Sequence, residues 1–247
     1  MSTLLLLHGF TGAPNSFDAI VSEVPKALRV LRPFTCGHGV PAAGAGVGAF
    51  TEEVERLAAL LDAEESAVVA GYSLGARLAL GIALAHPSRV RALILVSGSP
   101  GLRSEAERAA RRDRDEHLAS VLEREGLEAF VDLWEKEPLF ATQSVLPEAV
   151  RRAERERRLG HTASGLAQSL RTTGLGQMPD YWPLLGSLRR PVELLAGTLD
   201  PRFCALATAV VGELSAGRFA AIPGAGHNLL LERPLSVAEA IVRGLSS

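Results

Sequence analysis

Short apolar runs alternate with amphipathic stretches along the first hundred residues. The runs at 4–7, 67–70 and 90–96 are predominantly apolar and short, as expected of strands that are buried on both faces. A further strand pattern covers residues 27–31. The stretches with helical spacing of apolar side chains are residues 16–26, 51–61 and 74–85. Since each connecting helix must bury its apolar stripe against the strands, this alternation predicts a doubly wound parallel sheet.

The alternation stops after residue 101 and resumes near residue 190. Residues 102–181 contain no good strand candidate, but they contain amphipathic helical stretches at about 105–123, 127–136, 147–159 and 163–172. Strand patterns return at 192–196 and 218–222, and helical patterns follow them at 205–214 and 236–245. We therefore predict an α/β fold with a mostly parallel, doubly wound sheet of about six strands and an inserted helical cap. The predicted core is residues 1–100 and 185–247, and the predicted cap is residues 101–184.

Composition narrows the possible classes of protein. Of the 247 residues, 47% are hydrophobic and 22% are charged, and the formal charge of −2 provides no general attraction for nucleic acid. Cys36 and Cys204 lie far apart without C-x-x-C spacing, so the sequence indicates neither a disulfide framework nor a metal site. The apolar run near the N-terminus is too short for a signal peptide or a membrane span. We expect a cytoplasmic protein without membrane contact, and no protein partner is indicated.

The strongest chemical signal is a G-x-S-x-G pattern at residues 71–75, where a strand pattern gives way to a helix pattern. The glycines around Ser73 permit the tight turn that holds a serine hydroxyl above a sheet. The N-terminus of the following helix offers backbone N–H groups to developing negative charge. Glycine-rich strings of this kind also occur by chance in loops, but the strand before and the helix after this one predict a functional Ser73.

A catalytic serine needs a base, and a histidine base needs a carboxylate that orients it. Asp200 follows the strand pattern at 192–196, and His227 follows the next strand pattern. The order Ser73, Asp200, His227 is the one expected of an α/β-hydrolase sheet. The alternatives are an Asp200 that only caps a helix and a His227 that only occupies a turn. The remaining histidines after residue 8 are expected to be mostly solvated: His38, His86, His117 and His161.

Two further sets of groups are expected beside the serine. Residues 8–12 follow the first strand, where this architecture places half of an oxyanion hole, so we assign the hole to the backbone N–H groups of Phe10 and Leu74. His8 is expected to support this loop with its ring. Tyr72, next to the serine, either donates a hydrogen bond to a substrate or only packs.

Arg77 lies one helical turn beyond Ser73 and can share its helix face. An unpaired guanidinium in a dehydrated pocket is costly, whereas an anionic substrate would pair with it. The position therefore favours a small anionic substrate over a neutral ester. The alternative is a salt bridge between Arg77 and a structural carboxylate.

Together these motifs resemble the α/β-hydrolase superfamily and, within it, the 2-succinyl-6-hydroxy-2,4-cyclohexadiene-1-carboxylate synthases. The resemblance runs almost from end to end and is carried by residues 8–12, 71–77, 99–102, 110–116, 174–182 and 225–228. The first and last of these segments are shared by many hydrolases, whereas Arg77 and the arginine-rich segment 110–116 are more selective. The family pattern has a second histidine soon after the catalytic one, and this chain has Leu230 there.

The resemblance implies an α/β-hydrolase fold with a helical cap and a small polycarboxylate substrate. Pyruvate would be eliminated from that substrate without a cofactor or a metal. It also implies that four cap side chains face the substrate, although each of them could equally be a surface residue of an amphipathic helix. These four side chains are Arg111, Arg114, Trp134 and Arg158.

Two other functions fit much of the same sequence. A carboxylesterase or a carbon–carbon bond hydrolase would use the same three residues, with Ser73 as an acyl-accepting nucleophile. Only the arginines separate this hypothesis from the synthase. A non-catalytic small-molecule receptor on the same fold is a third hypothesis, because a fold alone does not determine function.

Overall fold

One six-stranded sheet organises the computed structural model, which describes residues 2–61 and 66–246. Its strands are β1 (Thr3–Leu7), β2 (Arg29–Leu31), β3 (Ala67–Tyr72), β4 (Val90–Val96), β5 (Val192–Gly197) and β6 (Gly217–Ile222). Every neighbouring pair is parallel, in the order β2-β1-β3-β4-β5-β6. The predicted α/β sheet of about six strands is confirmed, and its strands are all parallel.

Helices cover both faces of this sheet. The α-helices are α1 (Asp18–Val21), α2 (Phe50–Ala58), α3 (Leu74–Ala85), α4 (Glu105–Trp134), α5 (Glu148–Leu159), α6 (Ala163–Thr173), α7 (Pro201–Glu213), α8 (Leu229–Glu232) and α9 (Pro234–Leu245). Leu5 and Leu7 of β1 pack in one buried cluster with α2, α3 and α7, while Leu4 and Leu6 pack in a second cluster with α1, α8 and α9. Because successive side chains of a strand point to opposite faces, the four leucines of β1 contribute to both clusters.

Residues 101–184 run between β4 and β5 and contain helices only. Helices α4 and α6 pack against each other through an apolar cluster of their own that includes Leu122, Phe130 and Leu166. A 3₁₀ helix, Pro138–Val145, connects α4 with α5. The division into a core and a cap at these limits stays a prediction. Among the described helices, none combines the length and the apolar character needed to cross a membrane.

Several helix limits differ from the sequence prediction. The helix expected at 16–26 is a 3₁₀ turn, Pro14–Phe17, followed by the single turn of α1. Pro25 disfavours helical backbone at Val24, which prevents a helix from continuing to residue 26. α4 itself consists of two helical segments that meet at the non-helical Gly126 (φ 87°, ψ 174°), in agreement with the separate helices expected at 105–123 and 127–136. α8 has only four residues, too few for helical periodicity to appear in the sequence.

The start of α3 lies directly against the end of β1. A Cβ atom at Gly75 would overlap the carbonyl group of Leu7, and a Cβ atom at Gly71 would overlap backbone atoms of Gly75. Only glycine permits this close approach. The contact brings Ser73 next to the loop that follows β1.

The Gly75→Ala variant is therefore expected to lose more than about 3 kcal/mol of unfolding free energy, because the added methyl group collides with backbone that cannot move aside. Gly212→Ala is the matched control, since Gly212 lies in α7 and a methyl group added there would meet no neighbouring segment within 4 Å. Alanine there should leave stability unchanged or raise it by up to about 1 kcal/mol. Urea unfolding of both variants measures the difference, and a Gly75→Ala protein as stable as wild type would contradict the assigned contact.

Candidate active site

Ser73 occupies the sharp turn between β3 and α3. Its backbone adopts φ 52° and ψ −106°, a positive-φ conformation that is uncommon for a residue with a side chain. The turn is held on both sides, because the Ser73 N–H donates to the Val96 carbonyl at 2.9 Å and the Ser73 carbonyl accepts from the Arg77 N–H at 3.2 Å. The hydroxyl group therefore stands at the carboxyl edge of the central strands.

Asp200 and His227 complete a hydrogen-bonded chain with this serine. The distance from His227 Nε2 to Ser73 Oγ is 3.2 Å, and the distance from His227 Nδ1 to Asp200 Oδ2 is 2.9 Å. Asp200 follows β5 and also caps α7, because its other carboxylate oxygen accepts from the Phe203 N–H at 3.2 Å. A carboxylate on Nδ1 keeps the proton on that nitrogen, which leaves Nε2 free to accept the serine proton. The three side chains are thus arranged as a nucleophile or base, its proton acceptor and an orienting carboxylate.

Two backbone N–H groups lie beside this triad. Phe10 follows β1 in the loop against which α3 starts, and Leu74 is the first residue of α3. Among the described residues, neither N–H group is used in a hydrogen bond within the protein. The Leu74 N–H also lies at the positive end of the α3 dipole. Both groups are therefore available to an oxygen that gains negative charge near Ser73, and their assignment to an oxyanion hole stays a prediction.

A cavity of about 530 Å³ opens above the triad between the sheet edge and the helices of residues 101–184. Most residues predicted for the site line it. They are Ser73, Asp200 and His227, with Phe10, Tyr72, Leu74, Arg77, Arg111, Arg114 and Trp134. No group of three or more His, Cys, Asp and Glu side chains within residues 2–61 and 66–246 could hold a metal ion.

Arg77 is buried in this cavity without a direct ion pair to any described carboxylate. Its side chain donates to the Thr173 carbonyl at 3.0 Å, and it forms no ion pair with any carboxylate in the described part of the chain. Burial and then the neighbouring charge of Arg111 lower the pKa of Arg77 to about 9, while Asp115 opposes this shift. The group is still a cation at neutral pH. The alternative of a structural salt bridge is therefore not observed, and the cation is open to an anionic ligand.

The two cap arginines at the cavity wall are already paired. The Arg111 Nε donates to Asp115 Oδ1 at 2.8 Å, and Arg114 Nη2 donates to Glu137 Oε2 at 2.7 Å. Each guanidinium has five N–H donors, so these bonds leave further donors for a ligand. The side chain of Arg114 is half exposed, at 55%, so its ion pair is worth little and can rearrange.

Aromatic side chains form the rest of the wall. The Tyr72 ring lies 5.5 Å from the His227 ring, and burial raises the pKa of its hydroxyl well above the ordinary value. Trp134 packs edge-on against Phe10 at 5.3 Å, and its Nε1–H is buried without a hydrogen-bond partner. A buried donor of this kind is costly unless a ligand or water satisfies it.

Arg158 is not among the residues that line this cavity. It lines a neighbouring cavity of about 340 Å³. Phe10, Tyr72 and Phe140 line both cavities and separate them. Its side chain is only 3% exposed and is paired with Glu135 at 3.1 Å. The tertiary packing of the cap therefore directs this guanidinium to a partner within the protein.

The sequence prediction was wrong for two histidines and overlooked one arginine. His38 and His161 are buried rather than solvated, and burial lowers the pKa of each ring, whereas His117 is exposed as expected. Arg202 also lines the cavity. Its place two residues after Asp200, at the start of α7, was the signal that could have found it.

Comparison with known proteins agrees with this geometry. The chain matches the alpha/beta hydrolase family over residues 4–240. A protein of Bacillus subtilis (strain 168) is 36% identical over 249 residues, covering 99% of this chain and 90% of the relative. The 2-succinyl-6-hydroxy-2,4-cyclohexadiene-1-carboxylate synthase of Enterobacter sp. (strain 638) is 34% identical, covering 97% of this chain and 90% of that enzyme.

Solved structures agree with the sequence comparison. The structure of MenH from S. aureus superposes with a TM-score of 0.94 at 31% identity, over 99% of this chain and 93% of that one. These alignments cover 97–99% of the chain and therefore include both the sheet and the helices of residues 101–184. The chain therefore belongs to the α/β-hydrolase family and, within it, to the 2-succinyl-6-hydroxy-2,4-cyclohexadiene-1-carboxylate synthases.

Proposed function

We propose that the chain is a 2-succinyl-6-hydroxy-2,4-cyclohexadiene-1-carboxylate synthase, a lyase of menaquinone biosynthesis that eliminates pyruvate from 2-succinyl-5-enolpyruvyl-6-hydroxy-3-cyclohexene-1-carboxylate. The observation that carries this proposal beyond family membership is the buried Arg77, which is unpaired with any described carboxylate and lines the same cavity as the triad. A neutral substrate would leave that cation without an ion-pair partner, whereas a substrate with several carboxylates would supply one.

In the proposed reaction, Ser73 acts as a base. Its Oγ takes the proton from the ring carbon next to the succinyl ketone, and the serine proton passes to His227 Nε2. Asp200 stabilises the imidazolium that forms. The electron pair of the broken C–H bond becomes an enolate, which then expels the enolpyruvyl oxygen as the C–O bond breaks. The proton held by His227 returns to the enolate of pyruvate, which leaves as the keto acid, so the triad is restored and the reaction needs no oxidant, reductant or added water.

The enolate oxygen is the atom whose charge changes most before the C–O bond breaks. The N–H groups of Phe10 and Leu74 would hold this oxygen. Removing one such donor lowers enzymatic rates by roughly 100- to 1,000-fold, so this electrostatic contribution is large even though the serine forms no covalent bond. The triad and the oxyanion hole thereby serve proton abstraction rather than acyl transfer.

Substrate binding follows from the charges of the cavity wall. Arg77 would pair with one carboxylate of the substrate, and Arg111 and Arg114 from the cap would use their remaining donors for others. Tyr72 and Trp134 would line the ring of the substrate. In this proposal residues 101–184 act as a cap that encloses the substrate. The protein would bind this small anionic substrate in the cytoplasm.

The direct test is pyruvate formation by the wild-type protein from freshly generated enolpyruvyl substrate, run beside hydrolysis of p-nitrophenyl acetate. The proposal expects rapid pyruvate release and only feeble ester cleavage. Fast ester cleavage without pyruvate release would instead establish the esterase, with Ser73 as a nucleophile. A folded protein that binds the anionic substrate but turns over neither compound would establish the receptor.

A further inference from the structure

Three buried imidazole rings surround the loop that carries the Phe10 N–H group. We call His8, His38 and His161 the histidine cluster. The ring centroids of His8 and His38 are 4.8 Å apart, and those of His38 and His161 are 5.2 Å apart. All three side chains are buried, with residue exposures of 0%, 0% and 6%. His161 lies in the turn between α5 and α6, so one ring of the cluster comes from the predicted cap.

His8 fixes the peptide group that contains the Phe10 N–H. Its Nε2 accepts from the Thr35 N–H at 3.2 Å, so the ring proton lies on Nδ1, which donates to the Gly9 carbonyl at 2.9 Å. The peptide bond between Gly9 and Phe10 is trans, so its N–H and C=O groups point in opposite directions. Because the carbonyl is held on the side of His8, the Phe10 N–H is directed away from the ring.

The other two histidines hold the next two peptide groups in turn. The Thr11 N–H donates to His38 Nε2 at 3.1 Å. The Thr11 carbonyl accepts from His161 Nε2 at 3.2 Å, because His161 Nδ1 accepts from the Gly39 N–H at 2.9 Å. Thr11 has φ of 62°, which costs free energy for a residue with a side chain and persists only where neighbours hold it. Three successive peptide groups are therefore each held by one ring of the cluster.

These hydrogen bonds assign one neutral tautomer to each ring. His8 and His38 carry the proton on Nδ1, and His161 carries it on Nε2. A protonated ring would have no acceptor nitrogen and would lose a bond to a backbone N–H. Burial also favours the neutral form, because it lowers the pKa of all three rings, that of His8 to about 4.

We propose that His161 is a positioning residue for the oxyanion hole: its Nε2–H holds the strained Thr11 carbonyl, and through this loop the cap determines where the Phe10 N–H points. The proposal deepens the proposed function and rests on it, because the hole would serve the enolate of that reaction. His161 is absent from the residues that line the catalytic cavity, so its role would not be substrate contact. The position of the cap relative to the sheet is thereby coupled to the orientation of the oxyanion-hole N–H group.

Three substitutions of His161 separate positioning from packing. The amide nitrogen of His161→Gln reaches the place of Nε2 and can donate to the Thr11 carbonyl. The amide oxygen of His161→Asn reaches only the place of Nδ1 and can accept from the Gly39 N–H. His161→Ala removes both bonds. We expect Gln to retain kcat within about threefold, and Asn and Ala to lower kcat roughly 10- to 100-fold with little change in KM, which is less than the loss of a whole oxyanion donor.

These variants are assayed by pyruvate release and by p-nitrophenyl acetate hydrolysis, with thermal unfolding as the measure of folding. Both reactions need the oxyanion hole, so the same ranking in ester hydrolysis supports the inference even if no pyruvate is released. Equal losses of kcat in Gln and Asn, or losses confined to KM, would overturn it, because packing alone does not distinguish the two amides.

A second measurement uses the unaltered wild-type protein. Long-range ¹H–¹⁵N spectra of ¹⁵N-histidine protein at pH 7 report the tautomer of each ring. The inference expects Nδ1–H for His8 and His38, and Nε2–H for His161. A protonated His161 or the opposite tautomer would overturn the inference whatever reaction the protein catalyses.

Discussion

Ser73→Ala is expected to lower the rate of pyruvate release by at least roughly 10⁴-fold. The variant loses the group proposed to take the substrate proton, and within the described residues His227 Nε2 forms a hydrogen bond with no other hydroxyl than that of Ser73, at 3.2 Å. General base catalysis contributes roughly 10²- to 10⁴-fold, and removal of a triad serine in a related arrangement costs more, about 10⁶-fold in subtilisin. Single-turnover pyruvate formation with excess enzyme measures the loss without interference from product release.

The matched control for this variant is Ser22→Ala. Ser22 is an exposed hydroxyl after α1 that donates to the Ala19 carbonyl, so the same chemical change there should leave the rate unchanged. Both variants should unfold within a few degrees of the wild-type protein, because alanine keeps the backbone of each site. A Ser73→Ala enzyme that retained a tenth of the wild-type rate would show that another group removes the proton.

Arg77→Met is expected to lower kcat/KM for the polycarboxylate substrate by roughly 100-fold and to change hydrolysis of a neutral ester by less than threefold. Methionine keeps much of the length of the side chain and removes its charge. A charge-assisted hydrogen bond contributes about 1.5–3 kcal/mol, which corresponds to about 10- to 150-fold in kcat/KM. The ratio of the two activities therefore isolates recognition of the anionic substrate.

Stability provides an independent readout for Arg77. The guanidinium is buried without an ion pair to any described carboxylate, so its removal should leave the unfolding temperature unchanged or raise it. Breaking a buried salt bridge would instead cost about 3–5 kcal/mol. Arg124→Met is the control, because that exposed side chain donates, among the described residues, only to the carbonyl of Ser120. Equal losses on both substrates, or a strongly destabilised Arg77→Met protein, would contradict the assigned role.

The parts of the site that depend on short-range backbone geometry could be predicted from the sequence. The turn at Ser73 needs a strand, two glycines and a helix in immediate succession, and each of these can be recognised in the local sequence. The places of Asp200 and His227 follow from the rule that the carboxyl ends of parallel strands share one edge. Strands such as β1 and β4 could also be predicted from local sequence. Because they are buried on both faces, they form predominantly apolar runs without polar alternation.

The remaining features depend on contacts between distant segments. The sequence around His38 or His161 does not indicate that their two loops contact each other. The hydrogen bond from the Gly39 N–H to His161 joins residues that are 122 positions apart in the chain. Likewise, the pattern of α5 shows Arg158 on an amphipathic helix but not the Glu135 with which it pairs. Partner choice for a long charged side chain is decided by the packing of the cap, which sequence periodicity does not determine.

The central claim, that Ser73 removes a proton and is never acylated, is tested most directly by intact-mass spectrometry during a single turnover. Wild-type enzyme is mixed with the enolpyruvyl substrate and quenched at intervals that span pyruvate release. A serine-reactive fluorophosphonate, which should label wild type and not Ser73→Ala, shows that an adduct would be detected. The account predicts one equivalent of pyruvate with the mass of the chain unchanged throughout. A covalent substrate adduct on Ser73 that forms and decays at the rate of pyruvate release would contradict it.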